Sequence, residues 1–407
     1  MESIVVVGAS LGGHFAVENL RRAKYAGKIT LIGEEPHLPY DRPPLSKEFL
    51  RGEWERDRLG LARKPYEELG VELRLGVRAV GLDRASRRVL LSEGEPIAYD
   101  GIILATGARP RRLDAIEGRS NVHYLRGLDD ALRLKSALKT GDRVVIIGAG
   151  FIGLEIAASC RAIGAEASVI EALEGPCARA LPPALGGFLT SVHESRGVQL
   201  FYGASVRGFE GSDRVEAVTL GSGERLPVDQ LIVGIGVTPN TEWLEGSGLS
   251  IDNGVLTSAS LKAIGSAIGS DSGDDAPIFA IGDLANFESP LFGERMRVEH
   301  WTTTVEQARH AAKNLLDGAS LPFEKAPFFW SDQYEYKLQG AGRARPDDRL
   351  EIALGSVEGR DFLALFERDG RAVGAYGVNR PAELVRARIA IERRTSYDEL
   401  AASLKPS

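Results

Sequence analysis

The chain has 407 residues, 43% hydrophobic and 26% charged, which is room for two or three domains with real cores and excludes disorder as its main state. Fifty lysines and arginines against 57 acids leave a net charge of −7, which argues against nucleic acid as the default partner. Two cysteines, Cys160 and Cys177, are too few for an iron–sulfur cluster, a four-cysteine zinc site or a disulfide framework, and no metal site is expected.

Met1-Glu2-Ser3 runs straight into the apolar Ile4–Val7, with no basic and then apolar leader, and no stretch approaches the ~18 apolar residues of a membrane span. A cytoplasmic protein without membrane contact is the expectation. Ile4–Val7 predicts a strand, followed by Gly8-Ala9-Ser10-Leu11-Gly12-Gly13, a helix to about Ala26 and a second strand over Lys28–Ile32. Gly101–Leu104 reads as a buried strand closing on Ala105-Thr106-Gly107. The first grammar then returns: strand Arg143–Ile147, turn Gly148-Ala149-Gly150-Phe151-Ile152-Gly153, helix to about Ile163, strand Glu166–Ile170. Gln230–Val233, running on to Gly236, and Ile278–Ile281, ending at Gly282-Asp283, read as further buried strands. Gly265–Ala276 predicts a functionally silent surface loop. A helix from about Thr303 to Asp317 precedes a C-terminal α+β region with strands Leu363–Glu367 and Val373–Val378 and a helix Pro381–Arg393.

Gly148-x-Gly150-x-x-Gly153 is a complete dinucleotide fingerprint, in which glycines permit a tight turn, close approach of a pyrophosphate, and close helix–strand packing. The following helix end supplies N–H donors and the positive end of its dipole. Glu171, 23 residues beyond Gly148, is placed to accept hydrogen bonds from an adenosine ribose and to repel a 2′-phosphate, so NADH is expected over NADPH. In the first turn, Gly8-x-Ser10-x-x-Gly13, serine replaces the middle glycine, and Glu34, with Glu35 as the adjacent alternative, takes the acid's role. Two dinucleotides on one chain imply a flavoprotein that takes hydride from a nicotinamide.

With Pro39–Lys47, Ala105-Thr106-Gly107, Gly282-Asp283, Glu299-His300-Trp301 and Phe329-Trp330-Ser331-Asp332-Gln333-Tyr334, nearly the whole chain resembles the FAD-dependent, NADH-linked ferredoxin reductases of bacterial oxygenase systems. That resemblance implies an α/β fold with two Rossmann-like dinucleotide-binding domains and a C-terminal α+β interface domain. An FAD domain would span 1–108 and 237–317, an NAD domain 109–236 and the interface domain 318–407. It implies that Lys47 lies beside flavin N5 and pairs with Glu155, that Arg42 and Arg126 contact FAD, that Asp283 bonds its ribityl chain, and that His300 and Trp301 approach the pyrimidine edge. The turn residues Ala105, Thr106, Gly107, Gly236 and Gly282 complete the cofactor set.

No cysteine lies where disulfide-reducing relatives carry one, so electrons must leave directly from the flavin, and Trp330 is the natural exit to a 2Fe–2S ferredoxin. Such ferredoxins are usually acidic. Asn379–Arg394 carries Arg380, Arg386, Arg388, Arg393 and Arg394 against Glu383 and Glu392, a local +3, and Arg309 and Lys313 are expected to extend a basic rim. The ferredoxin would supply a haem monooxygenase or a ring-hydroxylating dioxygenase. Two rival readings are a reductase of rubredoxin, a quinone or another small acceptor, and a non-enzymatic NADH-sensing flavoprotein of apoptosis-inducing-factor type.

Overall fold

The computed structural model of the chain describes residues 1–266 and 276–404, so most of the loop expected over Gly265–Ala276 lies outside the described residues. Two five-stranded parallel sheets organise it. The first runs in the order Ile278–Ala280, Gly101–Leu104, Ser3–Val7, Lys28–Gly33, Val71–Leu75. Its first two strands in space come from distant parts of the sequence, so one sheet is assembled from both ends of the intervening segment. The second runs Gln199–Phe201, Glu166–Ile170, Arg143–Ile147, Gln230–Val233, Val122–His123. Each central strand is apolar without alternation because helices or further layers cover both faces. Ile4, Val6, Ile146 and Val169 have no exposed surface, and burial of each such side chain contributes roughly 1.5–3 kcal/mol.

In both sheets the strand ends on a glycine that must adopt positive φ, +116° at Gly8 and +108° at Gly148. A Cβ at Gly8 would fall inside the carbonyl of Ala105, and one at Gly148 inside the carbonyl of Gly234. The turn is therefore wedged against the neighbouring strand's end, and the next helix must start there. The first helix, Leu11–Arg22, stops four residues short of its expected end. Lys24 turns at φ +63°, and the Arg21 guanidinium binds the carbonyls of Tyr25 and Gly27, ending the helix with side-chain donors. The helix Phe151–Ile163 ends where expected, on Gly164 in the left-handed region.

The C-terminal sheet is antiparallel, ordered Phe328–Gln333, Tyr336–Gly342, Arg371–Val378, Asp361–Arg368, Arg349–Ser356. Two of these five strands are legible as apolar runs. Phe328–Gln333 and Tyr336–Gly342 escaped because they bury Ser331, Gln333 and Gln339, polar residues at positions where periodicity looks for apolar ones. The helix Pro381–Glu392 covers this sheet with Leu384, Ala387 and Ile391. No helix among the described residues is long and apolar enough to cross a membrane.

Candidate active site

Both glycine turns open on one cleft of about 1610 Å³. The first sheet contributes Gly8, Ser10, Glu34, Ala105, Thr106, Gly107 and Gly282; the second contributes Gly148, Gly150, Gly153, Glu171 and Gly236. Arg42, Lys47, Arg126, Glu155, Asp283, His300, Trp301 and Trp330 complete the predicted set on its walls. Gly13 is the exception. It does not line the cleft but is buried behind the turn, where a Cβ would strike the carbonyl of Gly8, so its role is helix–strand packing.

At the junction of the two halves, Lys47 and Glu155 form an ion pair with Nζ 2.9 Å from Oε2 and only 6% of either side chain exposed. A buried pair is tolerated when further hydrogen bonds satisfy its remaining valences. Ser46 Oγ donates to Glu155 Oε2 at 2.5 Å and Ser331 Oγ donates to Oε1 at 2.7 Å. Both lie in stretches that carry the family resemblance, but the sequence assigned neither a role. They lie 109 and 176 residues from Glu155, a proximity that local pattern does not encode.

Opposite, Arg126 Nη2 donates to Asp283 Oδ2 at 2.7 Å. Glu35 accepts from Tyr40 Oη at 2.5 Å and Arg42 Nη2 at 2.6 Å. Its carboxylate is thus occupied, while Glu34 is more than half exposed at the cleft and, among the described residues, pairs with the exposed Arg78. Glu171 Oε2 accepts from Ala149 N at 2.8 Å, which holds the carboxylate against the second turn. The helix Trp301–Asp317 begins two residues earlier than expected, with His300 as its N-cap, so its positive end faces the cleft. Trp301 Nε1 donates to Asp41 Oδ1 at 2.8 Å and its ring meets Trp330 edge-on, centroids 5.9 Å apart. Arg179, unremarked in the sequence, also lines the cleft, beside Gly236.

Whether the cleft suits two dinucleotides can be read from what it leaves unused. Arg42 Nε, Arg126 Nε and His300 Nδ1 are buried without a hydrogen-bond partner, a costly condition that a bound polar group relieves. The Ser10 hydroxyl sits at the start of the first helix yet caps nothing. Gly150 has an ordinary φ of −71°, and a Cβ there would meet no protein atom within 4 Å. No steric demand of the protein calls for glycine at that position; a closely approaching pyrophosphate does. The residues therefore fit FAD on the first turn and NADH on the second.

Burial pushes His300 down to about 4, and it also lowers His14, His123, His193 and His310. The unfolded chain, with histidines near 6.5, binds more protons than the folded one as pH falls from about 6.5 towards 4, so stability declines through that window. Burial raises Asp41 and Glu306, which act in the opposite sense but are fewer. The thermal midpoint should fall between pH 7 and pH 4.5; a flat profile would contradict these buried neutral histidines.

The basic rim needs correction. Arg388 is 15% exposed and committed to Glu306 at 2.6 Å and to the Ala326 carbonyl. Arg380 pairs with Asp361, Lys313 with Asp317, and Arg394 with Glu324 at 2.9 Å. Arg386 lies 3.8 Å from Glu383. Counting charge along one helix omitted the acids that neighbouring elements bring to it. Arg309 is exposed on the helix after His300, and no ion pair is seen for it among the described residues.

Two facing dinucleotide turns around a buried lysine–carboxylate pair define a two-nucleotide oxidoreductase. The chain belongs to the pyridine nucleotide-disulphide oxidoreductase family, whose model matches residues 2–311, and residues 328–404 match the reductase C-terminal family. It is 38% identical over 390 residues to rhodocoxin reductase of Rhodococcus erythropolis, covering 95% of this chain and 88% of that protein. It is 36% identical over 401 residues to the ferredoxin–NAD(+) reductase component of the p-cumate 2,3-dioxygenase system of Pseudomonas putida, covering 98% and 95%. The crystal structure of the covalent putidaredoxin reductase–putidaredoxin complex superposes with a TM-score of 0.91 at 33% identity, covering 98% of this chain and 95% of that one.

Proposed function

We propose that the chain is an FAD-containing NADH:ferredoxin oxidoreductase, passing electrons singly to a 2Fe–2S ferredoxin that supplies a monooxygenase or ring-hydroxylating dioxygenase. The observation that carries this reading is the single cleft in which both glycine turns meet Lys47 and Glu155. When bound beside them, FAD would supply the chemistry of accepting a hydride from NADH and releasing the two electrons one at a time. Lys47, with one N–H engaged by Glu155, keeps its remaining donors for the flavin edge and holds positive charge where negative charge develops. Arg126 and Asp283 orient the polar chain of the cofactor, and the helix starting at Trp301 directs its dipole to the same edge.

Both cysteines are free and buried, with the Cys160 thiol pushed up to about 12 and Cys177 also raised by burial. Neither is a thiolate near neutral pH, so a thiol relay is disfavoured. Half-buried Trp330, against Trp301 and on the rim of the cleft, is the exit, and ferredoxin docks over it with exposed Arg309 as a cation for which no ion pair is seen among the described residues. An FAD domain of residues 1–108 and 237–317, an NAD domain of 109–236 and an interface domain of 318–407 accord with the three main sheets. A reducing compartment such as the cytoplasm suits two unpaired thiols.

Cytochrome c reduction with NADH tests the reading: it should require added ferredoxin, and fast reduction without it, or of rubredoxin or a quinone alone, would favour another acceptor. Coenzyme choice gives a second result. Glu171→Gln removes the charge that repels a 2′-phosphate, so the kcat/KM ratio of NADH to NADPH should fall by about tenfold or more, roughly 1.4 kcal/mol. An unchanged ratio would remove Glu171 from coenzyme selection.

A further inference from the structure

Behind the lysine–glutamate pair lies a buried polar chain that the hydride chemistry does not use. Ser331 donates to Glu155 Oε1 at 2.7 Å, Gln333 Nε2 donates to Ser331 Oγ at 3.0 Å, and His193 Nε2 faces Gln333 Oε1 at 2.8 Å. The Tyr334 hydroxyl stands 3.4 Å from His193 Nδ1. Ser331 and His193 have no exposed surface and Gln333 has 2%.

The polarity of this chain is determined by its ends. Glu155 as a carboxylate only accepts, so the Ser331 hydroxyl must donate to it. Ser331 Oγ then accepts from the Gln333 amide nitrogen, which turns the Gln333 oxygen towards His193. That oxygen can only accept, so His193 carries its proton on Nε2 and its Nδ1 is free to accept from Tyr334. Burial keeps His193 neutral, which suits this tautomer. Every donor therefore points towards one carboxylate, the arrangement in which successive hydrogen bonds polarise one another. The members come from the helix Phe151–Ile163, the helix Pro183–Ser195 and the strand Phe328–Gln333.

We propose that Ser331, Gln333 and His193 are positioning residues: as one unit they hold Glu155, and through it they set the place of the Lys47 ammonium in the cleft. Without them, the second carboxylate oxygen would be buried unsatisfied and Glu155 would be held through Oε2 alone, by Ser46 and Lys47. Trp330 adjoins Ser331, so the strand that carries the proposed electron exit is also the one that anchors the lysine. The inference rests on the reading of the cleft as a flavin and NADH site.

The test uses Ser331→Ala, Gln333→Leu, the double variant, and Ser331→Thr, which keeps the hydroxyl. Glu335→Gln, on the exposed turn beyond the chain, is the control. Each disrupting single variant should lower the limiting rate of flavin reduction by NADH about tenfold with little change in KM, and shift the reduction potential of the bound flavin to more negative values. The double variant should be no worse than the poorer single one, because members of one unit do not add. Ser331→Thr should recover rate and potential, and Glu335→Gln should match the wild type. Wild-type rates and potentials in Gln333→Leu, or losses that multiply in the double variant, would overturn the proposal. A second readout needs neither nucleotide. Gln333 does not touch Glu155, yet the unfolding cost of Gln333→Leu combined with Glu155→Gln should be less than the sum of the two; an additive sum overturns the chain. If the wild-type protein binds no flavin or leaves it unreduced by NADH, the functional reading fails, and this stability coupling alone decides the positioning role.

Discussion

Replacing Lys47 with methionine should lower the rate of flavin reduction by NADH at least about 100-fold and destabilise the protein by about 3–5 kcal/mol. The two losses have one origin. Lys47 and Glu155 are both almost fully buried, so removing the ammonium strands a carboxylate in a low-dielectric site, the costly half of a buried ion pair. Loss of one preorganised charge at the reacting edge is worth about 10²–10³ in rate. Glu155→Gln should be milder in stability, because the amide oxygen can still accept from one of Ser46 and Ser331 while its NH2 donates to the hydroxyl oxygen of the other. Stopped-flow reduction and chemical denaturation measure the two effects. A Lys47→Met protein with wild-type stability and rate would show that the pair is incidental.

Gly150→Val should raise the KM for NADH at least about 100-fold while the protein stays folded and yellow. The backbone at Gly150 accepts any residue, and a Cβ there meets nothing of the protein within 4 Å. At a helix N-cap, valine in place of glycine costs no more than about 1–2 kcal/mol. On the proposed reading the new side chain fills the approach of the coenzyme pyrophosphate, and a 100-fold loss corresponds to about 2.7 kcal/mol of that contact. Flavin content, read from the absorbance ratio, separates this variant from Gly148→Ala, which disturbs the turn itself because φ there is +108° and the Gly234 carbonyl blocks a Cβ. Equal loss of flavin and NADH binding in Gly150→Val would contradict the division of the cleft between the two turns.

What could be read in advance divides by the range of the physics. Gly148, Gly150 and Glu171 belong to a strand, a turn and the next strand within some two dozen residues, so composition and spacing were enough to propose them together, and all three line the cleft. The central parallel strands Ser3–Val7, Gly101–Leu104, Arg143–Ile147 and Gln230–Val233 were legible as apolar runs leading to glycine, whereas their order in the sheets was not. Lys47 with Glu155 entered through resemblance, since nothing in a residue's neighbours reveals a partner 108 positions away. Ser46, Ser331 and Gln333 carried the resemblance without being given a role, and His193 was not noticed, for the same reason and because buried polar residues break the alternation by which strands are recognised. The basic rim failed differently. A charge count along Asn379–Arg394 is correct as arithmetic, but Asp361, Glu306 and Glu324 arrive from other elements and neutralise it.

The central claim is that hydride enters this cleft and electrons leave it singly. Limiting NADH added anaerobically to the flavin-loaded protein with excess 2Fe–2S ferredoxin tests it most directly. Two ferredoxins should be reduced for each NADH consumed, with the flavin returned to its oxidised spectrum. Consumption of NADH with no ferredoxin reduced, or a persistent reduced flavin that ferredoxin does not reoxidise, would contradict it.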